Sequence, residues 1–259
     1  MRLLLLLMSQ PLETIAIPRR RLGINRPRAL ATAALCWAAF AALVWLVTTD
    51  RSGSLDSLGL LFWRGAGLEP KGPELLLEMV RDVTSLGGVL LRNLIALAAV
   101  AALLFLRLRR EAVLLALTVI LGWLVAYGIK LLVGRPRPEI VPHLTDAGGA
   151  SFPSGHSFNS AVVFIAVALA FATMSSRQSV RITVIGSAIL LSLAVAWSRV
   201  WLGVHFPSDV AAGWLGGAGW AFLATALLHR PAKAAAESEA AKTLDPTEAA
   251  RTSHWAKRR

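Results

Sequence analysis

Long apolar runs, rather than alternating apolar and polar positions, dominate the pattern of this 259-residue chain. Six runs are long enough to cross a bilayer, because a membrane-spanning helix takes about 20 residues. They cover residues 28–48, 87–106, 112–133, 156–175, 182–202 and 209–228. The hydrophobic share of 56% and the mean hydropathy of +0.60 fit the same class. The pattern therefore predicts an all-α protein, a bundle of six transmembrane helices.

The polar segments divide the chain into three parts. Residues 1–27 are predicted to form a basic cytoplasmic arm, residues 28–228 the six-span domain, and residues 229–259 a flexible cytoplasmic tail. Within the domain, segment 49–86 carries leucines at near-helical spacing beside charged residues, which predicts short helices at the membrane surface. Capping of the bundle and guidance of lipid are both open roles for this segment.

The net charge of +12 is distributed unevenly over the predicted topology. One face carries the basic clusters Arg19, Arg20, Arg21, Arg26, Arg28, Arg107, Arg109, Arg110, Arg177, Arg181, Lys257, Arg258 and Arg259. The other face carries Asp50, Asp56, Glu69, Glu74, Glu78 and Asp82. Basic residues favour the cytoplasmic side of membrane proteins. We therefore expect a multi-pass protein of a bacterial inner membrane with cytoplasmic termini, and the charge needs no nucleic-acid partner.

Three polar clusters stand at the ends of predicted spans. Lys130 is separated by six residues from Arg137-Pro138, Pro153-Ser154-Gly155-His156 opens the fourth span, and Arg199, His205 and Asp209 surround the corner between spans five and six. Each cluster alone is a weak motif, but three in order at helix ends form a specific pattern. The topology puts all three on the outer face, opposite the arginines, so an active site is expected there.

The chemistry of these clusters indicates a phosphate site. Lys130, Arg137 and Arg199 would converge without a carboxylate in their motifs, and charges at membrane depth call for partners. Guanidinium and ammonium groups bind phosphate oxygens well. For Arg92, by contrast, we expect a side chain that extends along the helix to the membrane interface.

The second and third clusters add donors and a nucleophile. The first amides of the fourth span, near Ser154 and Gly155, can bind an anion, although an ordinary helix cap explains the same residues. Asp209 lies four residues after His205, so its carboxylate can accept a hydrogen bond from one ring nitrogen and leave the other for in-line attack.

Together the three clusters resemble the motifs of the type 2 phosphatidic acid phosphatase (PAP2) family, whose core is similar to that of vanadium haloperoxidases. The resemblance covers about residues 75–228 and implies a membrane lipid phosphatase that needs no metal or other cofactor. By resemblance, His205 attacks phosphorus and Asp209 orients it, while His156 protonates the leaving oxygen and then activates water. The phosphate-binding residues would be Lys130, Arg137, Ser154, Gly155 and Arg199.

Several functions stay open at this point. The expected substrate is a lipid phosphate or diphosphate, with undecaprenyl diphosphate, phosphatidic acid and phosphatidylglycerophosphate as candidates. A lipid A phosphatase or a lipid phosphotransferase is the alternative within the same chemistry. An anion transporter is disfavoured, because the predicted cations cluster at one face instead of lining the middle of several spans. A haloperoxidase is disfavoured by the membrane scaffold.

Overall fold

Helices account for all of the regular elements in residues 25–228, the part of the chain that the computed structural model describes. They are α1 (Arg26–Thr48), α2 (Gly53–Leu61), α3 (Glu74–Ser85), α4 (Val89–Phe105), α5 (Arg109–Val133), α6 (Gly155–Ala172), α7 (Gln178–Trp201) and α8 (Pro207–Leu228). The predicted tail, and all but three residues of the predicted arm, lie outside this part. Their proposed boundaries stay predictions.

The predicted spans correspond closely to these helices. α1, α5, α6, α7 and α8 are each long and apolar enough to cross a membrane, and α3 and α4 together form a sixth candidate with a 47° bend between them. The bend falls at Gly87 and Gly88, between the two helices. The all-α fold with five or six spans is thereby confirmed, and the chain is a multi-pass integral membrane protein.

α6 and α8 form the centre of the bundle. In the apolar 18-residue stretch of each spanning helix, the buried share is 78% in α6 and 61% in α8. The corresponding share is 17–28% in α1, α5 and α7. Glycines permit this close packing, because a Cβ on Gly217 would lie 2.2 Å from the Phe158 carbonyl oxygen and one on Gly213 would lie 2.7 Å from that of Ser154. The glycines of the last helix therefore serve its packing against α6.

The three clusters lie at one end of the bundle, which we call the site end. α5 ends there at Gly134, whose positive φ of 61° closes the helix, and α6 and α8 begin there. The described members of the arginine clusters, such as Arg28, Arg109 and Arg181, fall at the opposite ends of their helices.

Segment 49–86 forms the two short helices that its spacing predicts, α2 and α3. α2 packs on α8 and α7, and α3 packs on α7. Gly59 of α2 lies directly against Pro207, the first residue of α8. The segment thus covers the site end of the bundle, and its contact with a membrane surface stays a prediction.

Candidate active site

All three sequence clusters meet at the site end. The Ser154 amide donates to the Asp209 carbonyl oxygen over 3.0 Å, which joins the first turns of α6 and α8. Arg137 Nη1 lies 3.2 Å from His205 Nε2, which joins the first cluster to the third. Lys130 Nζ donates to the Ala150 carbonyl oxygen, just before the second cluster. The contacts therefore bring together the groups that the sequence separates by as many as 79 positions.

His205 occupies the corner between α7 and α8 and is 2% exposed. Its Nε2 faces Arg137, and its Nδ1 lies 3.1 Å from the Ser151 hydroxyl. That hydroxyl donates to Asp209 Oδ2 over 2.5 Å, whereas Nδ1 and Oδ2 are 3.7 Å apart. The direct hydrogen bond expected between His205 and Asp209 is thus replaced by a relay through Ser151.

Asp209 is fully buried, and each of its oxygens has a donor. Arg135 Nη1 donates to Oδ1 over 2.7 Å, and the Phe206 amide donates to Oδ2 over 3.0 Å. These bonds fix the carboxylate and, through Ser151, the orientation of the imidazole. With the proton held on Nδ1, the lone pair of Nε2 is directed toward the cations.

The environment of His205 favours its neutral form. Burial lowers the pKa of His205 to about 4; the Asp209 carboxylate opposes this change, and the positive charge of Arg137 adds to it. A neutral imidazole is the nucleophilic form, so the ring is ready for attack near neutral pH.

The predicted phosphate-binding cations have neutral partners. Arg137 donates to the carbonyl oxygens of Gly148 (2.7 Å), Val204 (2.8 Å) and Gly149 (3.0 Å). Arg199 donates from Nη1 to the Thr84 hydroxyl over 2.9 Å, and its buried Nε has no hydrogen-bond partner among the described residues. Within residues 25–228, neither these two nor Lys130 forms an ion pair with a carboxylate. Positive charge therefore accumulates beside His205 Nε2.

Ser154, Gly155 and His156 begin α6, and each has a different environment. The buried Ser154 hydroxyl accepts from the amide and hydroxyl of Ser157, which makes it the cap of its own helix. A Cβ on Gly155 would meet nothing within 4 Å, so there is open space beside the first turn. His156 interacts electrostatically with both His205 and Arg199, and the two imidazoles therefore belong to one site.

Arg135 and Asp56 are components of the site that the motifs did not identify. Arg135 Nη2 donates to Asp56 Oδ2 over 2.8 Å, while the other terminal nitrogen, Nη1, bonds to Asp209. The Arg135 guanidinium also lies 4.2 Å from the Phe206 ring centre. Asp56, 1% exposed, also accepts from the amide and the hydroxyl of Ser208. α2 is thereby tied to the first turn of α8. A possible sequence signal was an aspartate inside an apolar stretch, Leu55-Asp56-Ser57-Leu58.

Arg92 does not extend to the interface, and that prediction was wrong. The side chain is 6% exposed and turns into the bundle, where Nη1 lies 3.4 Å from the Gly87 carbonyl oxygen. A long side chain one turn into a helix can reach either the surface or a neighbouring helix. Here the bend before α4 brings Gly87 within its reach.

The sequence and fold match one known family. The family model of the PAP2 superfamily matches residues 111–233, which include all three clusters. Over these residues the chain is similar to the PAP2 superfamily. A solved relative, a transmembrane PAP2-type phosphatidylglycerolphosphate phosphatase from Bacillus subtilis, superposes with a TM-score of 0.67 at 26% identity, over 74% of this chain and 94% of the relative.

Curated lipid phosphatases are also similar to part of the chain. A lipid A 1-phosphatase from Rhizobium etli is 36% identical over 121 residues, which are 43% of this chain and 47% of the relative. Phosphatidylglycerophosphatase B from Bacillus subtilis is 35% identical over 88 residues, 33% of this chain and 42% of the relative. The chain thus spans less than half the length of these two relatives.

Proposed function

We propose that this chain is a member of the PAP2 superfamily and a metal-independent lipid phosphatase that acts through a phosphohistidine. The observation that carries the proposal is the group of cations without carboxylate partners around Nε2 of a neutral, buried histidine. A phosphate ester would supply the negative charge that this arrangement favours, and its phosphorus would lie within reach of the imidazole.

In the first step, His205 Nε2 attacks phosphorus and the bond to the lipid oxygen breaks. His156 protonates that oxygen. Lys130, Arg137 and Arg199, with the first amides of α6 near Ser154 and Gly155, would stabilise the charge that develops on the equatorial oxygens. As Nε2 forms its bond, the imidazole becomes cationic, and the Ser151–Asp209 relay stabilises that charge.

In the second step, water attacks the phosphohistidine and His156 accepts its proton. The P–N bond breaks, inorganic phosphate leaves, and His205 returns to the neutral form. One histidine must be neutral while the other is protonated at the start of the cycle. His205 is neutral because it is buried behind Ser151 and Asp209, and the negative charge of the bound phosphate would favour the protonated form of His156.

A cavity of about 490 Å³ beside the site supports a lipid substrate. It lies between α4, α5 and α6, and its apolar walls include Ala96, Leu97, Val100, Val119, Ile120 and Trp123. Leu97, Ile120 and Trp123 are also large exposed hydrophobics, so the cavity adjoins the outer surface of the bundle. A lipid chain can therefore lie there, beside Asn159, which follows His156 by one turn of α6.

The location that fits this function is the outer leaflet of a bacterial inner membrane. The described arginine clusters lie at the end opposite the site, and basic residues favour the cytoplasmic side. The N-terminal arm and the C-terminal tail would then both be cytoplasmic. A reporter fused after Leu228 and assayed in intact cells tests the orientation, with a signal from the outside as the contradicting result.

Phosphate release from a lipid panel tests the activity. Purified protein in detergent micelles is given phosphatidic acid, phosphatidylglycerophosphate, undecaprenyl diphosphate or lipid A, the last because of the similarity to a lipid A 1-phosphatase. Free inorganic phosphate indicates hydrolysis, and transfer of label to a second lipid indicates a phosphotransferase. An acid-labile phosphoprotein, present in the wild type and absent in His205→Ala, identifies the intermediate. No turnover of any lipid would contradict the proposal.

A further inference from the structure

Arg92 is a buried cation that the proposed phosphoryl-transfer steps do not use. It lies in the first turn of α4, and its one hydrogen-bond contact among the described residues is the weak one to Gly87, at 3.4 Å. Within residues 25–228 no carboxylate pairs with it. A buried guanidinium without an anionic partner is costly, which suggests that part of the substrate provides the anion.

Arg92 is on the side of the site where the leaving group departs. Gly87, whose carbonyl oxygen it faces, packs against His156, since a Cβ on Gly87 would lie 3.3 Å from Cδ2 of that ring. In the proposed mechanism His205 and His156 flank the phosphorus, with His156 at the leaving oxygen. A group beside His156 is therefore next to the atoms that leave, and Arg92 interacts electrostatically with that ring.

The cavity between α4, α5 and α6 offers space for the lipid part of the leaving group next to Arg92. Arg92, Asn93 and Asn159 supply its polar lining, and the remaining walls are apolar. Asn159 follows His156 by one turn of α6. From Arg92 to Val100 the cavity follows α4 for about 12 Å. A leaving group that fits has an anionic head at Arg92 and an apolar chain beyond it.

The charges around the two histidines agree with a second anion. The cluster contains five cations, Lys130, Arg135, Arg137, Arg199 and Arg92, and two buried carboxylates, Asp56 and Asp209. Three positive charges remain when the histidines are neutral. A phosphomonoester carries at most about two negative charges at neutral pH. A lipid diphosphate carries more, and its additional charge is on the phosphate that leaves with the lipid.

On the basis of the proposed function, we propose that Arg92 binds the lipid-linked phosphate of a diphosphate substrate, so that this chain prefers lipid diphosphates to lipid monophosphates. His205 attacks the terminal phosphorus, and the bond to the bridging oxygen breaks. The electron pair goes to the departing lipid monophosphate, which receives the proton of His156 and the charge of Arg92. Water then releases inorganic phosphate, as in the second step above.

The test compares two substrates that differ by one phosphate. Initial rates of phosphate release are measured in detergent micelles with diacylglycerol diphosphate and with phosphatidic acid, for the full chain and for Arg92→Met and Arg92→Lys. The ratio of the two kcat/KM values should favour the diphosphate in the wild type. In Arg92→Met the ratio should fall roughly 10- to 100-fold, the effect of one charge-assisted hydrogen bond. Arg92→Lys should retain most of the wild-type preference for the diphosphate. Arg51 is an exposed arginine, and Arg51→Met should leave the ratio unchanged.

Each other outcome counts against a specific part of this inference. Equal losses on both substrates in Arg92→Met would overturn the role of Arg92 and leave the phosphatase intact. Hydrolysis of phosphatidic acid in preference to the diphosphate by the wild type would overturn the preference. No phosphate from either lipid would overturn the proposed function as well. If Arg92→Met fails to fold, inhibition of the wild type decides: methylenebisphosphonate should inhibit at least about 10-fold more strongly than orthophosphate, and equal inhibition would contradict the second phosphate site.

Discussion

Two regions of this bundle contribute to one site in different ways. Residues 111–233, which match the PAP2 family, contain both histidines, Asp209 and the cations of the motifs. Residues 49–105 lie outside that match and supply contacts to those groups: Asp56 to Arg135, Thr84 to Arg199, and Gly87 to His156. The first region therefore determines which reaction is possible, and the second adjusts the charge and orientation of the reacting groups.

The two regions also differ in how firmly they are packed. α6 and α8 are mostly buried and approach each other closely at glycines, so their first turns have little freedom to shift. α3 and α4 meet at a 47° bend and lie on the flank. Substrate preference can vary at such a flank without loss of the catalytic geometry. Substitutions in the first region should therefore abolish turnover, and those in the second should reduce it or change its selectivity.

The largest effect is expected for the nucleophile. His205→Ala should reduce phosphate release by about 10³-fold or more, because no other group can form the covalent intermediate. His143→Gln is the control, since the one hydrogen bond of the His143 side chain among the described residues is to the Pro138 carbonyl oxygen. Phosphate release and phosphoenzyme labelling are measured together. Residual turnover within tenfold of the wild type would contradict covalent catalysis by His205.

Asp56→Asn should have the next largest effect and tests the second region directly. The change leaves Arg135 with one carboxylate instead of two, and disruption of a buried ion pair costs about 3–5 kcal/mol. We expect a lower melting temperature in detergent and a kcat lower by about 10-fold, because the Asp209–Ser151–His205 orientation depends on Arg135.

Asp50→Asn is the matched control for that variant, as an exposed aspartate of the same segment. The double variant Asp56→Asn/Arg135→Gln separates positioning from folding. If the two single losses in kcat simply add in the double variant, Asp56 does not act through Arg135.

The pH profile of kcat/KM compares the two histidines. His205 reacts as the neutral imidazole, so activity should persist as pH falls below the usual histidine range and decline only near its pKa of about 4. On the basic side, activity should fall when His156 loses its proton. The expected profile is bell-shaped with a low acid limb. A profile that is flat across this range while chemistry limits the rate would contradict the pair.

The smallest effect is expected for Thr84→Val. Arg199 loses the acceptor for Nη1 but keeps its charge, so kcat/KM should fall by roughly 2- to 10-fold, the range for one hydrogen bond. Thr173→Val, at the far end of α6, is the control because, within the part of the chain that the structure describes, its hydroxyl donates only to the Ala170 carbonyl oxygen. A loss above about 100-fold would indicate that the second region contributes to the chemistry itself.

Much of this architecture was accessible from the sequence. Spans that alternate in direction put Lys130, His156 and Asp209 at the same end, and apolar length alone identified those spans. The alternation also put the arginine clusters at the other end. What the motifs could not give was the geometry among their members, such as the hydroxyl of Ser151 between His205 and Asp209.

The sequence by itself determined the membrane class, the helices and the three polar clusters at helix ends, because hydrophobic length and motif spacing are local properties. Only the tertiary structure decided that Asp56 neutralises Arg135 across 79 positions and holds Ser208 across 152. It also decided that Arg92 turns inward. Such pairings depend on which helix faces pack together. Residues that meet in the fold but lie far apart in the chain leave no periodic signal in the sequence.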